Sequence, residues 1–429
     1  MACEDLRVVL VRAGIAGHLD FSPNDGIHFE RWANREAARG LLEVCLNDTD
    51  TLDYYKHDWT FLFAEPFLLK KEAYYRMFAG YRGEMHEVIC NYAEEIGVEM
   101  RFGEKVRQYV DTDQQLEVVL AFGETILGDV VVGAEGPKSL GREQVLGLPE
   151  SKVKSGYAIY RAHYNLTGEH RKNPLLAPFC CKSPEVARLW LGTDLHMFVF
   201  SCKEGKDIGW VFTHKNEQEI GESGSYPGNL VDALAYLDEA HFEETCKEIF
   251  VDYKLVRRDP VVIWPSPSKR SCVIGDAAHC HLPTSAQGAC QAVEDGVVLA
   301  VCLGKAKGDV RLALQVFERT WFSRSHFIHM SSTSVRDDYH TIEFESNLFE
   351  EHPEMLNMPR RGWAIDFDAR KNAEKHFDQL AVDVKGWCKG TLEGLSLPAG
   401  GNFDLNSRDF MHSKSGALEA NGRLKLVNA

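Results

Sequence analysis

At 429 residues with 44% apolar side chains, the chain is long enough for two or three domains with substantial cores. Its 48 Lys and Arg stand against 64 Asp and Glu, and the formal charge of -16 repels polyphosphates and anionic lipid, so nucleic acids and membrane surfaces are excluded as partners. MACEDLRVV lacks the basic and apolar regions of a signal peptide, no apolar run reaches membrane-spanning length, and the 12 cysteines include no CxxC pair, which together predict a soluble cytoplasmic protein with reduced, packed thiols.

In chain order, RVVLV (Arg7 to Val11) predicts a buried parallel strand ending at a Gly-containing turn. HLDFSPNDG comes next, which is turn chemistry, and a helical pattern begins only with GIHFERWANREAARGLLEVC. The spacing of Met77, Met85, Val88, Ile89 and Tyr92 predicts a helix within Glu72 to Gly97, followed by extended runs at Val98 to Phe102 and Leu116 to Phe122. ILGDVVVG (Ile126 to Gly133) reads as a further buried strand. From about Lys152 to Trp264 the segments YAIYRAHYNL, RLWLG, HMFVFSC and DIGWVFTH predict a mostly antiparallel sheet, closed by a helical stretch from Leu230 to Phe250. After Pro265 the pattern returns to α/β with SCVIGDAAH and a long helix. PEMLNMPRRGWAIDF and DARKNAEKHFDQLA then suggest a packed arm and a helix, ahead of a Gly-, Ser- and Asn-rich tail read as partly disordered.

The most informative segment is CVIGDAAHCHLPTSAQGACQAVEDGVVLA, Cys272 to Ala300. Val273 and Ile274 end a strand, Gly275 permits a close turn, and Asp276 is presented at the strand's carboxyl end, where open α/β sheets bind ligands. From Gly288 a helix with a small-residue face runs through Ala289, Ala292, Val293 and Gly296, its first N–H groups favouring negative charge. As a bland reading, this is a strand-turn-helix that packs well. His279, Cys280 and His281 are not read as metal ligands, because adjacent side chains diverge and no further cluster completes a site.

This segment resembles the GDAAH…P…GQG…A…ED motif of FAD-dependent aromatic monooxygenases of the para-hydroxybenzoate and salicylate hydroxylase type. The match runs through Gly275, Asp276, Ala277, Ala278, His279, Pro283, Gln287, Gly288, Ala289, Ala292, Glu294 and Asp295, with Ala286 replacing the first Gly of GQG. The resemblance implies that Asp276 hydrogen-bonds the FAD ribitol and that Gly288 and Ala289 face the flavin's pyrimidine edge. Other segments carry further matches. VVGAEGPKSLGREQVLG (Val131 to Gly147) is similar to the second fingerprint, with Glu135 in place of Asp; a strand capped by a Gly-Pro turn is the equal alternative. YRGEMHEVI places Arg82 where the family directs an Arg at the FAD phosphate. IYRAHY places Arg161 where it orients substrate or supports the flavin, with an exposed strand charge as the equal alternative. HMFVFS (His196 to Ser201) stands where the family often has Tyr-Pro, and here lines a pocket without a hydroxyl. The tail around PEMLNMPRRGWAIDFDA is similar to that of fungal members acting in secondary metabolism.

The family's first strand leads into GxGxxG, a helix, and a second strand ending in an acid that binds the adenosine ribose. Here the turn is Arg12-Ala13-Gly14-Ile15-Ala16-Gly17, and directly after it comes LDFSPNDGIHF, which resembles the family's sequence beyond that second strand. The helix and strand of the first βαβ unit are missing from the pattern. Glu30 and Glu36 have a ribose acid's spacing but fall within the helical run, so neither is assigned that role.

The expectations are therefore an α/β fold in which a Rossmann-like FAD domain with an incomplete first βαβ unit (1–151 and 265–340) carries an inserted, mostly antiparallel substrate domain (152–264) and a C-terminal helical extension with a flexible tail (341–429). The resemblance implies an FAD-dependent monooxygenase using NAD(P)H and O₂ to hydroxylate or epoxidise an electron-rich aromatic or alkene, a hydrophobic small molecule of secondary metabolism. Arg161 is the candidate catalytic residue; Gly14, Gly17, Arg82, Asp276, Gly288 and Ala289 are the candidate FAD ligands. A flavin-free cyclase or isomerase, or an inactive binding protein on the same fold, remains open as the alternative.

Overall fold

The computed structural model describes residues 6–384 apart from 13–17, 22–26, 30, 33–35, 47–48, 50, 58, 67–77, 149–151, 216–250, 259–263, 342–361 and 366. The β-branched run forms β1 (Val8–Arg12), and after only residues 13–17 the chain enters β2 (His18–Phe21). The helix expected across Gly26–Cys45 is interrupted: Ile27–Phe29 make one short turn, and α1 is confined to Glu36–Val44. Between them Arg31 is drawn aside into a two-pronged pair with Asp368, at 2.9 and 2.7 Å. Strands β3 (Cys45–Leu46), β4 (Thr51–Lys56) and β5 (Phe61–Pro66) come next.

Of the helix expected within Glu72–Gly97, residues 72–77 lie outside the described residues. Residues 78–81 form β6 (Phe78–Tyr81), hydrogen-bonded on one side to β2 and on the other to β3, and only then does α2 (Arg82–Glu95) begin. Ladder pairing overrides the apolar spacing there, and Gly80 allows it: a Cβ at that position would lie 2.9 Å from the Val44 carbonyl. Val98 to Phe102, expected to be extended, is irregular and joins no strand ladder among the described residues. A meander of β7 (Val106–Asp111), β8 (Leu116–Leu120) and β9 (Thr125–Leu127) precedes β10 (Val130–Ala134). The single strand expected over Ile126–Gly133 is thus split at Gly128-Asp129, its halves serving different sheets. A short α3 (Leu140–Gln144) comes after β10.

The aromatic segments form β11 (Lys152–Asn165), β12 (Ala187–Gly192), β13 (Leu195–Cys202), β14 (Asp207–Lys215) and β15 (Val251–Arg258). They build one sheet in the order β15-β11-β14-β13-β12-β4-β5, antiparallel except where β12 runs parallel to β4. Two of its strands therefore come from before residue 152. The helical stretch expected at 230–250 and the tail beyond 384 lie outside the described residues. The chain then runs through β16 (Ser271–Val273), α4 (Asp276–His279), α5 (Gly288–Lys305), α6 (Val310–Thr341), α7 (Gly362–Ile365) and α8 (Ala369–Asp383).

β1, β10 and β16 make a parallel sheet in that order, Val8 aligned with Val130 and Leu10 with Val132. On one face, Val130, Val132 and Cys272 pack under Val298 of α5, Leu314, Phe317 and Trp321 of α6 and Phe377 of α8. That cover stops short of β1, whose Val8 and Leu10 remain 47% and 53% exposed. On the other face Val9 and Val11 pack against Tyr109 and Leu116 of the meander. Helix α6 is 32 residues long, about 48 Å at 1.5 Å per residue, and reaches from this core to the larger sheet, where Val335 and Tyr339 meet Tyr54, Leu189 and Phe200.

Candidate functional site

The parallel strands end side by side, so the segments after β10 and β16 emerge together at the sheet's carboxyl edge. After β16 the backbone turns at Gly275, with φ 58° and ψ -145°, a conformation that a Cβ disfavours, and presents Asp276 as the first residue of α4. Asp295 of α5 fixes this turn: its Oδ2 accepts from the Gly275 N–H at 2.7 Å and lies 2.7 Å from His279 Nε2. Burial alone would lower the His279 pKa, but the adjacent Asp295 carboxylate outweighs it and raises the value above the ordinary imidazole range.

That same pairing holds the Gly275 turn against the first half of α5, where a Cβ on Gly275 would lie 3.5 Å from Ala292 Cβ. Gln287, the residue ahead of the helix, makes no capping hydrogen bond with its side chain, and a Cβ built on Gly288 meets no atom within 4 Å. Among the described residues the helix thus opens onto room beside Gly288, with its first-turn N–H groups leading. Ala286 just before it is left-handed at φ 54°, ψ 23°. The side chains of Ala289 and Val293 turn toward the cluster of Phe29, Phe78 and Met85.

Arg82 is the first residue of α2, which also starts without a side-chain cap. Tyr81 stacks on His163 of β11, with ring centroids 5.1 Å apart at 25°, and Lys203 of β13's end ion-pairs with both Glu84 and Asp207, the latter at 2.8 Å. These contacts seat α2 on the larger sheet. Arg161 is buried two residues before His163, on the same face of β11, in a cross-strand row with Val211 and Phe198. Phe198 stacks on Phe200 at 5.3 Å. The sheet face that carries Arg161 is thus a partly open aromatic surface, bounded by α2 and by the far half of α6.

Glu135 follows β10 and is hydrogen-bonded to the start of α3. Its carboxylate accepts from Ser139 Oγ at 2.5 Å and from the Gly141 N–H at 3.3 Å, while Ser139 caps α3 through the Arg142 N–H. Burial, reinforced by Glu135, pushes the Tyr109 phenol well above its ordinary pKa. Gly14 and Gly17 lie outside the described residues.

Three supports escape a reading of the sequence. The tie among Gly275, His279 and Asp295 is signalled only by their membership of one motif. Stacking of Tyr81 on His163 has no local signal. The third is the buried pair of Glu294 on α5 with Arg324 on α6, at 2.9 and 3.0 Å, in which Arg324 also donates to the Ala364 carbonyl at 2.8 Å and lies 3.8 Å over the Phe367 ring.

The residues present fit the flavin end of the cofactor that the resemblance implies: a glycine turn, an acid at the strand end, and a helix start with room in front of it. They do not reproduce the adenosine end, because β1 is an edge strand among the described residues and β2 pairs antiparallel in another sheet. Glu36, spaced as a ribose acid would be, is exposed on α1, with its carboxylate 3.6 Å from Arg39.

Comparison with known proteins agrees with this geometry. The FAD binding domain family matches residues 65–309. The FAD-dependent monooxygenase okaB of Penicillium ochrochloron is 30% identical over 315 residues, 71% of this chain and 69% of that one. The FAD-dependent monooxygenase fmqB of Aspergillus fumigatus is 28% identical over 347 residues, 75% of this chain and 82% of that one. Among solved structures, that of CtdE in complex with FAD and substrate 4 superposes with a TM-score of 0.77 at 23% identity, covering 88% of this chain and 100% of that one.

Proposed function

The chain belongs to the FAD binding domain family, and on that premise we propose that Asp276, Arg82, Gly288 and the backbone of Ala289 hold the flavin while Arg161 orients the substrate. It is an FAD-dependent monooxygenase of the kind found in fungal secondary metabolism. When bound, FAD supplies the redox chemistry, taking reducing equivalents from NAD(P)H and allowing one oxygen atom of O₂ to pass to an electron-rich substrate.

The chain's own residues do the positioning. Asp276, pinned by its turn, accepts hydrogen bonds from ribityl hydroxyls. The amide groups at Gly288 and Ala289 stabilise partial negative charge, aided by the α5 dipole. Arg82 offers a cationic fork to the phosphate at the start of α2. The half-buried Phe198 ring, backed by the buried Phe200, takes a flat hydrophobic substrate, and the buried Arg161 fixes its polar edge. Packing of α6 and α2 on the sheet excludes water from the reacting atoms. The observation that most directly supports this proposal is the tie of the Gly275-Asp276 turn to α5 through the Asp295 carboxylate and the close approach of Gly275 to Ala292.

Purified protein supplied with FAD, NADPH, ¹⁸O₂ and a panel of aromatic natural products should yield a product carrying one labelled oxygen atom, and Arg161→Ala should raise KM for that substrate by about tenfold or more, the loss of one charge-assisted hydrogen bond. Oxygen incorporated from water instead of from O₂ would refute the monooxygenase reading.

A further inference from the structure

We infer that this chain recognises only the mononucleotide half of its cofactor, so that FMN and FAD bind it alike; this rests on the flavin site proposed above. A dinucleotide is normally gripped at two places: the phosphates at a glycine turn leading into a helix, and the far ribose by an acid at the end of a second parallel strand.

The second grip is excluded by chain length and by pairing. A crossover between parallel strands needs a dozen or more residues. Here residues 13–17 alone separate β1 from β2, too few for a helix and a return, and β2 is hydrogen-bonded antiparallel to β6 from His18–Tyr81 to Phe21–Phe78. β1 is accordingly left at the edge of the parallel sheet. Its Val8 and Leu10 lie in register with the fully buried Val130 and Val132, yet are 47% and 53% exposed. The layer of helices covering β10 and β16 ends where a helix of the first βαβ unit would continue it. Glu36, the described acid with a ribose ligand's spacing, belongs to the exposed first turn of α1.

The described residues of the flavin side are held together. Gly275, Asp276, Gly288 and Arg82 belong to elements tied together by the Asp295 carboxylate, by the Ala289 and Val293 contacts with the Met85 cluster, and by Tyr81 on His163. These residues meet an isoalloxazine, a ribityl chain and one phosphate. Nothing among the described residues answers an adenine, a second ribose, or the acidic contact that such a ribose needs. Adenylate therefore adds bulk without adding affinity.

Titration of the full-length chain with FAD, FMN and riboflavin, monitored by flavin fluorescence, separates the possibilities. FAD and FMN are expected to have Kd values within about tenfold of each other, riboflavin to bind more weakly, and Arg82→Ala to abolish the preference of FMN over riboflavin. ADP in large excess should not displace FMN. FAD binding about a hundredfold or more tighter than FMN, or displacement of FMN by ADP, would overturn the inference while leaving the flavin site standing. Failure of all three flavins to bind would overturn both.

Discussion

Ala286 shows how a single residue records the demands of the site. The motif that the segment resembles has glycine there, and the structure gives the reason: the backbone is left-handed at φ 54°, where a Cβ costs roughly 1–2 kcal/mol. The turn is kept because the Ala286 N–H donates to the Pro283 carbonyl at 2.9 Å and aims the chain into α5. Ala286→Gly should therefore stabilise the fold by about 1 kcal/mol, read as a higher urea midpoint at an unchanged slope. A lower midpoint would show that this turn is unstrained. Such positions are legible in sequence because local backbone geometry restricts the residue type, and Gly275, at φ 58°, is legible for the same reason. Glu135 is not, because an acid after a strand and before a Gly-Pro turn can face a ligand or cap the segment that follows, and the structure closes its carboxylate onto Ser139 and Gly141.

Among the elements, α5 and α6 form the frame between the flavin end and the larger sheet. Arg324 and Glu294 join them with both side chains fully buried, and Arg324 extends the link to the Ala364 carbonyl ahead of α8. Removing one member strands the other's charge in the interior. Glu294→Ala should destabilise the protein by about 3–5 kcal/mol, whereas replacing both members by Met should cost clearly less, since no charge is left uncompensated. Urea unfolding of the two variants checks the order, and equal losses would show that the pair acts through packing alone. The pair is not legible in the sequence because its partners are 30 positions apart on different helices. The parallel pairing of β12 with β4 is invisible for the same reason. The start of α2 differs from its apolar spacing because β6 satisfies its backbone in a ladder with β2 and β3, which outweighs helical periodicity. Long, locally patterned elements such as α5 and β11 stand where their sequence pattern places them.

Over the whole molecule, several histidines are buried in the neutral state. Burial lowers the pKa of His28 to about 4 and, with a smaller contribution from Arg336, that of His340 to about 3; His196 and His281 fall well below the ordinary value of 6.5, and His214 falls too. His196 and His340 face each other at 2.7 Å where β13 meets α6. The unfolded chain protonates these groups near pH 6.5 and the native state does so only at lower pH, so their contribution is complete above pH 6.5 and is lost as pH falls below it, for His28 and His340 at about 1.4 kcal/mol per unit down to about pH 4. His279 acts in the opposite sense: its raised pKa stabilises below pH 6.5 and that contribution disappears as pH rises through the folded value. Five depressed imidazoles outweigh one raised. The urea midpoint should drop steadily from pH 7 to pH 5 with proton uptake on unfolding, and a midpoint that is flat or rising over that range would contradict their neutral burial.

The architecture at this scale is an FAD-binding fold in which the Gly275 turn is tied to α5 and only residues 13–17 separate β1 from β2, with Val8 and Leu10 marking where cover ends. Calorimetric titration of the purified chain with FAD tests that account most directly. Saturable binding at one flavin per chain, weakened about tenfold or more by Asp276→Ala, is the predicted result. Absence of any binding heat at flavin concentrations up to the millimolar range, or an Asp276→Ala affinity equal to that of the parent, would contradict it.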